Sequence, residues 1–274
     1  MKILHLSDTH FSNYIDDPEL MNVLIEQVSI KEKLHQIVTH EDLSTFNFVC
    51  VSGDIVHEGT PKDYQDIKSL LEEIFCPLPI YYCLGNHDKK DVFYQGMGIE
   101  NITGNFDYDT VINDIHMIFL DSAKAHSHAG ILSTEQLAWL ENTLKSNSLQ
   151  KMIFQHHPII GGEYFSGFTM ENPKPILDIL SKHEIIGVFT GHTHSPAVNL
   201  RGNVLQYTTY AMSFGLEKLA DGSQLFTDTC GYSVIEYIPK EGLTVAPRII
   251  QPTYRVLKST NPQEMHDLNR SYEQ

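Results

Sequence analysis

Features that would direct the chain to a membrane or to a nucleic-acid duplex are missing from the sequence. No apolar run approaches the ~18 residues that a membrane-spanning helix needs. Only 19 of the 274 residues are Lys or Arg, against 35 Asp or Glu, and the formal net charge is −16. Because duplex binding requires basic side chains to neutralise phosphates, this charge argues against a nucleic-acid duplex as partner, and no membrane partner is expected.

Cysteine is also scarce. The chain has four cysteines and none forms a C-x-x-C pair, which argues against a zinc knuckle or a thioredoxin-type motif. Cys50 and Cys83 lie in apolar runs, as buried thiols do. Asp8 and His10 interrupt the N-terminal apolar stretch, so we expect a first strand there and not a signal peptide. Together these features predict a cytoplasmic protein, and they leave a homo-oligomer open.

The order of apolar segments predicts one α/β domain over residues 1–274. No internal repeat or Pro/Gly/Ser linker divides the chain, although the segment 199–260 is less clear and 261–274 is a polar tail expected to fray. Strands are predicted at Lys2–Leu6, Phe48–Val51, Ile80–Leu84, His116–Leu120, Met152–Gln155, Ile186–Thr190, Val204–Thr209, Tyr232–Ile238 and Ile249–Val256. Helices are predicted at Leu20–Val38, Pro61–Ile74, Ser133–Leu144 and Pro175–His183. The β-α-β-α-β start implies parallel pairing.

Polar clusters follow directly after apolar strands at five places. They are Ser7–His10, Ser52–Asp54, Gly85–Asp88, His156–Pro158 and Gly191–His194. In open α/β sheets the ligand crevice lies at the carboxyl ends of the strands, so loops from distant parts of the sequence can converge there. Each cluster alone is more typical of a turn, a helix cap or a hydrogen-bonded histidine than of a functional site. All five in the same position, supplying carboxylates, imidazoles and one amide, favour a shared site.

The donor types in these clusters favour transition metals. Asp, His and Asn supply oxygen and nitrogen without thiolate, which suits Zn, Mn, Fe or Co better than the all-oxygen cages of Mg or Ca. Two cations ~3.5–4 Å apart repel each other, and a carboxylate between them is the natural bridge. Glycines beside the clusters would allow close backbone approach.

At these residues the sequence resembles the calcineurin-like metallophosphoesterase superfamily. The ordered blocks D-x-H, G-D, G-N-H-[DE], H and G-H-x-H are all present between about Met1 and Val198. The stretch GDIVHEGTPKDY, together with LDS at Leu120–Ser122 and the HHP block, looks most like the class III branch of cyclic-nucleotide and glycerophosphodiester phosphodiesterases. The part after about Thr209 matches nothing recognisable.

The resemblance implies a fold, a cofactor and a reaction. The fold is a four-layer αββα sandwich of two mixed β-sheets. The cofactors are two transition-metal ions, and the reaction is hydrolysis of small phosphodiesters by direct attack of a metal-bound hydroxide. The first metal would take Asp8, His10, Asp54 and His194. The second would take Asp54, Asn86, His156 and His192, with Asp54 as the bridge. The catalytic residue would be His87, facing the substrate.

Several neighbouring side chains have two interpretations. His156 fits the H-x-P pattern better than His157, which would then support the site. Asp88 could orient His87 or fix the turn, and His57 is the other residue that could orient His87. Asp121 could support a ligand histidine or belong to a loop. Further candidates carry the polar or aromatic groups of a cleft. A solvated loop is the preferred interpretation of His126, His128, Lys89 and Lys90. A wall of the cleft and packing against a neighbouring loop explain Phe165, Phe168, Met170 and Asn172 equally well.

The block after Asp54 bears on the substrate. Protein phosphatases of the superfamily have a motif resembling G-D-x-V-D-R-G, whose Arg helps to bind phosphate. This chain has His57 and Glu58 at those places. A carboxylate would repel a monoester dianion more than a diester, so phosphodiesters are the predicted substrates; alternatively Glu58 points to solvent. A protein phosphatase or phosphomonoesterase, a nuclease and a non-catalytic scaffold are the rival functions.

Overall fold

The computed structural model describes residues 1–12, 29–100, 104–162, 167–250 and 254–272. The strands are β1 Lys2–Leu6, β2 Phe48–Ser52, β3 Ile80–Cys83, β4 Tyr108–Ile112, β5 Ile115–Phe119, β6 Gln150–Phe154, β7 Ile185–Thr190, β8 Ala197–Arg201, β9 Val204–Thr208, β10 Gly215–Lys218, β11 Gln224–Thr227, β12 Gly231–Ile238, β13 Gly242–Ile249 and β14 Val256–Thr260. The α-helices are Ile30–His40, Pro61–Phe75, Lys90–Met97, Thr134–Lys145, Pro173–Leu180 and Pro262–Tyr272, and Leu43–Thr45 is a 3-10 turn.

Two mixed sheets form the centre of the molecule. One has the strand order β13-β12-β1-β2-β3 and the other has the order β4-β5-β6-β7-β9-β8. Strands β1, β2 and β3 are parallel, as are β5, β6, β7 and β9. The carboxyl ends of the parallel strands in each sheet therefore meet at one edge, and the predicted functional loops begin there.

The inner faces of the sheets pack against each other through apolar side chains. Both sheets contribute fully buried residues to this layer, among them Ile3, Phe48, Met117, Phe154 and Ile235. The rings of Phe119, Phe154 and Phe189 stack in sequence, with centroids 5.3 and 5.1 Å apart. Since these strands are covered on both faces, they read as continuous apolar runs, which made them visible in the sequence.

Helices cover both outer faces. The helix Pro61–Phe75 begins at a capping box formed by Thr60 and Asp63, and its apolar side packs on the first sheet. The helix Thr134–Lys145 begins at the predicted capping box of Ser133 and Gln136, and with Pro173–Leu180 it covers the second sheet. The layers are therefore helix, sheet, sheet and helix, which confirms the predicted αββα sandwich.

Several features differ from the sequence prediction. A third sheet, of order β10-β11-β14, joins the two expected ones. The predicted strand Ile249–Val256 is wrong, because β13 ends and β14 begins at those residues; the intervening Pro252 cannot donate to a ladder, and 251–253 lie outside the described residues. The predicted helix Leu20–Val38 is observed only as Ile30–His40, and its part up to residue 28 is not described.

The polar tail is a helix and not a frayed end. Pro262–Tyr272 follows Asn261, whose side chain accepts from the backbone N–H groups of Gln263 and Glu264, both at 3.0 Å. The Glu264 carboxylate accepts in return from Asn261 N at 2.9 Å. This reciprocal capping box is readable in the sequence N-P-Q-E.

Candidate metal centre

The loops after β1, β2, β3, β6 and β7 meet at one place. They bring together six of the seven predicted metal ligands, and the imidazole of His87 lies at the border of the same cluster. The seventh, Asn86, precedes His87 in the loop after β3. Nearly all of these side chains are buried, and His87 is 14% exposed. The polar loops thus converge at the strand ends, as predicted, and the roles of the individual residues stay a prediction.

The first donor group combines Asp8, His10 and His194. Asp8 Oδ1 lies 3.3 Å from His194 Nε2, and that nitrogen lies 3.2 Å from His10 Nε2. A tetrahedral site with bonds of ~2.0–2.1 Å places its donor atoms ~3.3–3.4 Å apart. The observed spacing therefore fits a single cation held between these three atoms.

The second donor group adds histidines from the other sheet. His156 Nε2 lies 3.1 Å from His192 Nδ1 and 3.3 Å from Asp54 Oδ2. The same Asp54 Oδ2 lies 3.6 Å from His10 Nε2 in the first group. One carboxylate oxygen thus sits between both groups, at the position that a bridging ligand requires.

The loop that carries Asn86 lies against Asp54. His87 N donates to Asp54 Oδ1 at 2.9 Å, and Gly85 packs directly on the same carboxylate. Asn86, between them in the chain, has its amide oxygen buried. The loop backbone on both sides of Asn86 is thus held against Asp54, and the assignment of Asn86 as a ligand stays a prediction.

The protonation of the histidines suits cation binding. Burial lowers the pKa of His10 and of His192 well below the usual value, so both rings are neutral and keep a lone pair. Burial also opposes charge on His156, but the carboxylates of Asp54 and Asp8 outweigh it and raise the pKa of His156 to about 9. A proton on His156 Nε2 would occupy the place that a cation can take. His192 Nε2 is buried with no hydrogen-bond partner among the described residues.

Neighbouring charges also shift the pKa values of Asp54 and His87. Burial raises the pKa of the Asp54 carboxyl, but the imidazoles of His156, His87 and His10 outweigh it and hold the pKa well below its usual range. For His87, burial opposes protonation, whereas the carboxylates of Asp54 and Glu58 favour it and raise the pKa. The cluster of carboxylates and imidazoles fits a pair of transition-metal ions.

The backbone of the loops is unusually constrained. Five predicted ligands have a positive φ: Asp8, His10, Asp54, His192 and His194. This conformation is uncommon outside glycine and tends to concentrate at functional sites. Gly53, with φ +98°, lies so close to His156 that an added Cβ would come within 2.5 Å of its Nδ1. A side chain at residue 53 would therefore displace a predicted ligand.

Three histidines are oriented through their second ring nitrogen. His156 Nδ1 lies 2.8 Å from the carbonyl of Ser52, and His194 Nδ1 lies 2.8 Å from the carbonyl of Phe214. His10 Nδ1 lies 2.9 Å from His57 Nδ1. Metal-binding histidines generally donate this second N–H, which fixes the tautomer and the plane of the ring.

The segment Ala211–Phe214 was missed by the sequence analysis. Its backbone N–H groups at Met212 and Ser213 donate to the carbonyls of Ser7 and Asp8, at 2.9 and 3.1 Å. The Phe214 ring lies on the His194 imidazole, with centroids 4.3 Å apart. The segment therefore supports the first donor group.

Lys33 anchors that segment from the helix Ile30–His40. Its side chain is 2% exposed, and its ammonium donates to the carbonyls of Met212 and Ser213, at 3.0 and 2.6 Å. Burial lowers the pKa of Lys33. In the sequence this lysine is indistinguishable from a solvated one.

Lys33→Met is expected to loosen the segment Ala211–Phe214. Two carbonyls would lose a charged donor, which costs ~1–3 kcal/mol in the free energy of unfolding. Metal affinity should fall as well, because the support of His194 is lost. Urea unfolding of metal-free protein and a Co²⁺ titration measure the two effects, with the exposed Lys31→Met on the same helix as control. Equal behaviour of both variants would contradict this role.

Asp88 and Asp121 have structural partners. The Asp88 carboxylate accepts from the backbone N–H of Ile55, Val56 and Gly85 and from the hydroxyl of Tyr64, which ties the loop after β2 to the loop after β3. Of its two interpretations, fixing the turn is the one that these bonds favour. Asp121 accepts from backbone N–H groups and pairs with Lys90 at 2.8 Å. These bonds make it part of a loop.

The remaining histidines divide between the site and its surroundings. His157 Nδ1 bonds to the Ser122 hydroxyl at 2.8 Å, whereas His156 faces Asp54, as predicted from the H-x-P pattern. His126 is exposed. The expectation of a solvated loop is wrong for His128, because its half-buried ring lies 6.4 Å from His87 and 6.0 Å from Phe168.

The loop before Pro173 supplies one wall of the cleft. The Phe168 ring lies 5.9 Å from His192. Met170 is buried and Asn172 bonds to the backbone of Leu132, so both pack against a neighbouring loop. Phe165 lies outside the described residues.

Comparison with known proteins gives the family. The family model described as calcineurin-like phosphoesterase matches residues 1–196. The chain belongs to the calcineurin-like phosphoesterase family. That match covers every predicted ligand, which confirms the resemblance stated from the sequence blocks. Within the described part of this family member, no helix has the length and apolar character needed to cross a membrane.

Two curated relatives carry phosphodiesterase names. The chain is 25% identical over 257 residues to a probable cyclic nucleotide phosphodiesterase of Xenorhabdus bovienii, covering 89% of this chain and 98% of that protein. It is 28% identical over 209 residues to a glycerophosphodiester phosphodiesterase of Enterobacter lignolyticus, covering 71% of each.

Solved structures share the fold. A dimetal phosphatase from Danio rerio superposes with a TM-score of 0.66 at 13% identity, covering 94% of this chain and 99% of that one. A purple acid phosphatase from yellow lupin gives 0.60 at 14% identity, covering 94% of this chain and 52% of that one. At this identity the likeness concerns the fold alone.

Proposed function

We propose that this chain hydrolyses small phosphodiesters at a dinuclear metal centre, with 3′,5′-cyclic nucleotides and glycerophosphodiesters as the substrate classes. The observation that carries the proposal is Asp54 Oδ2, which lies 3.6 Å from His10 Nε2 and 3.3 Å from His156 Nε2. The names of the two relatives support the substrate class. We also propose a cytoplasmic location, because all four cysteines are free thiols.

We assign the residues that would hold two cations as follows. Asp8, His10 and His194 would hold one, His156, His192 and Asn86 the other, and Asp54 would bridge them; the close donor atoms of the six Asp and His residues support this assignment. Bound there, transition-metal ions would lower the pKa of a water molecule and neutralise charge on the phosphate oxygens. Zn, Mn, Fe and Co all accept this mixed nitrogen and oxygen set.

The protein's own part is to hold the substrate and to supply a proton. His87 is fixed by its backbone bond to Asp54 Oδ1, and its Nδ1 lies 3.7 Å from Glu58 Oε1. We assign proton transfer to the leaving oxygen to its other ring nitrogen, Nε2. General-acid help of this kind is worth ~10²–10⁴-fold in rate. Phe168 and His128 form the wall on which an apolar or aromatic substrate group can rest.

The positions of the serine hydroxyl groups near the site agree with direct transfer of the phosphoryl group to water. Ser52 is fully buried and bonds to His5 Nε2 at 2.8 Å. Ser7 is also fully buried and donates to the Ser52 carbonyl at 3.3 Å. Neither hydroxyl is placed to attack a substrate, so no phosphoenzyme is expected.

The charges around His87 favour diesters. The four arginines of the chain are Arg201, Arg248, Arg255 and Arg270, and all of them come after the last ligand block. Arg248 pairs with Glu41 and Arg255 with Asp228, while Arg201 and Arg270 are exposed. Glu58 instead faces His87, and Lys89 lies 3.7 Å from its carboxylate. An arginine at this place could bind a dianionic monoester with two hydrogen bonds. In this chain the monoester would instead meet the carboxylate of Glu58.

The substrate assignment is tested by comparing a diester with a monoester. We expect kcat/KM to be higher for bis-p-nitrophenyl phosphate than for p-nitrophenyl phosphate at one pH with one metal, and chelation to abolish both activities. Glu58→Arg should shift the ratio toward the monoester by at least about tenfold, since a charged hydrogen bond is worth ~1.5–3 kcal/mol.

The variant Glu58→Gln shows how much of the change in the substrate ratio comes from loss of the negative charge of Glu58. It removes the negative charge without supplying an arginine, so its ratio should lie between those of wild type and Glu58→Arg. A wild-type preference for the monoester would reject the phosphodiesterase assignment. An unchanged ratio in Glu58→Arg would show that another residue sets the preference.

A further inference from the structure

His57 lies between the predicted metal centre and His87 and contacts both. Its Nδ1 lies 2.9 Å from Nδ1 of His10, whose other nitrogen faces the first donor group. Its ring also stacks on the His87 imidazole, with centroids 4.5 Å apart and planes inclined by 23°. One half-buried side chain thus touches both a predicted ligand and the predicted proton donor.

The hydrogen bond between the two histidines has one consistent direction when a cation is bound. A cation on His10 Nε2 requires the lone pair of that nitrogen, so the proton of neutral His10 must be on Nδ1. That N–H then donates across 2.9 Å, and His57 Nδ1 must be the acceptor. His57 therefore carries its own proton on Nε2 and is a neutral partner.

The usual partners of a metal-binding histidine are a carboxylate, a backbone carbonyl or water. An imidazole in this place fixes the ring of His10 without adding negative charge next to the cations. A carboxylate there would be charged, but it would lack the flat face that His57 lays on His87. The imidazole can serve both contacts at once.

The loop that carries His57 is well anchored. His57 N donates to the carbonyl of Phe11 at 3.2 Å, directly after His10 in the chain, and Phe11 and Val56 form a parallel bridge. The next residue, Glu58, directs its carboxylate toward His87 Nδ1. His57 thus contacts the face of the His87 ring, and Glu58 lies near the edge of the ring that carries Nδ1.

We propose that His57 is a positioning residue with two separable effects: it holds His10 in the metal-binding tautomer by accepting its Nδ1–H, and it fixes the plane of His87 by stacking. The inference rests on the proposed metal centre and goes beyond the ligand set. The two effects use different parts of the side chain, so single substitutions can remove one and keep the other.

The experiment compares His57→Phe with His57→Asn. Phenylalanine keeps a flat ring against His87 but cannot accept from His10, whereas asparagine offers an acceptor oxygen near the position of Nδ1 and has no ring. The exposed His35→Phe is the control. Metal-free proteins are titrated with Co²⁺ against a competing chelator, with the visible spectrum as a second readout. Kinetics use bis-p-nitrophenyl phosphate at saturating Co²⁺.

The expected results differ between the two variants. His57→Phe should lose ~10–100-fold in Co²⁺ affinity, the usual effect of removing such a partner, with an altered Co²⁺ spectrum and kcat close to wild type once the metal saturates. His57→Asn should retain most of the Co²⁺ affinity but lose at least about tenfold in kcat at unchanged KM, because a misplaced catalytic group is costly.

Two outcomes would overturn the inference. Either both variants match wild type in Co²⁺ affinity and kcat, or both lose the two properties in parallel with the stability of the metal-free protein, which indicates a general packing role. The proposed function fails separately, if wild type binds no Co²⁺ or prefers a monoester. The Co²⁺ affinity of His57→Phe is measured without substrate, so a wrong substrate assignment leaves that part of the inference standing.

Discussion

Asp54→Ala is expected to reduce kcat/KM for bis-p-nitrophenyl phosphate by on the order of 10³-fold or more, since metal activation of water and phosphate contributes several kcal/mol. Asp54 Oδ2 is the atom that approaches both donor groups, at 3.6 Å from His10 and 3.3 Å from His156. Without the carboxylate, two cations would face each other with no bridging negative charge. We therefore also expect metal content to fall from about two ions per chain to one or fewer.

Elemental analysis and kinetics on the same preparations check this result. Asp54→Asn tests whether the charge or only the oxygen is needed, and Asp178→Ala, in an exposed pair with Lys174, is the control. Asp54 Oδ1 also accepts the backbone N–H of His87, so part of the loss in Asp54→Ala can come from the loop after β3. Near wild-type activity and metal content in Asp54→Ala would refute the dinuclear centre.

The sequence could predict where the polar loops meet, because buried strands and the polar residues that follow them are both recognisable in it. Strands such as β2 and β7 are buried on both faces, so each reads as a short apolar run with a visible end. Polar residues immediately after such a run must lie at the carboxyl edge of the sheet. Asp54 and His192 could therefore be assigned to one cleft although neither the sheet order nor any distance was known.

Elements without such a pattern were missed. Strand β8 is largely exposed, with Val198 and Leu200 at 67% and 68%, and it forms an edge, so no buried periodicity marks it. Strand β13 is exposed along most of its length and contains Pro247. Both depend on pairing with a neighbour that the local sequence does not specify.

The supports of the site were invisible for a different reason. Lys33 is buried because two carbonyls from residues 212 and 213 face it, at a separation of about 180 residues along the chain. His57 was recognised as a departure from a motif and as a candidate to orient His87, but its contacts with His10 and His87 arise from the fold of two loops. Side-chain partners at long range follow from tertiary packing and not from spacing.

His87→Ala is expected to retain both metals and to lose rate. The imidazole of His87 is outside both donor groups, and its backbone bond to Asp54 survives the substitution, so metal content should stay at the wild-type level. General-acid help is worth ~10²–10⁴-fold, and the full loss should appear with a glycerophosphodiester, whose alkoxide leaving group needs a proton. The loss should be smaller with bis-p-nitrophenyl phosphate, because p-nitrophenolate leaves without protonation.

The dependence on the leaving group separates two roles of His87. A proton donor acts on the leaving oxygen, and its removal must affect poor leaving groups more than good ones. A group that only stabilises charge on the phosphate affects both alike. The measurement is the ratio of kcat for the two diesters in wild type, in His87→Ala and in the surface control His35→Ala, each with its metal content determined. A smaller loss for the good leaving group supports Nε2 of His87 as the acid. An equal loss for both substrates would show that His87 is not the proton donor and that it stabilises charge on the phosphate. Glu58 and His57 would then orient the charged imidazole of His87 for that purpose.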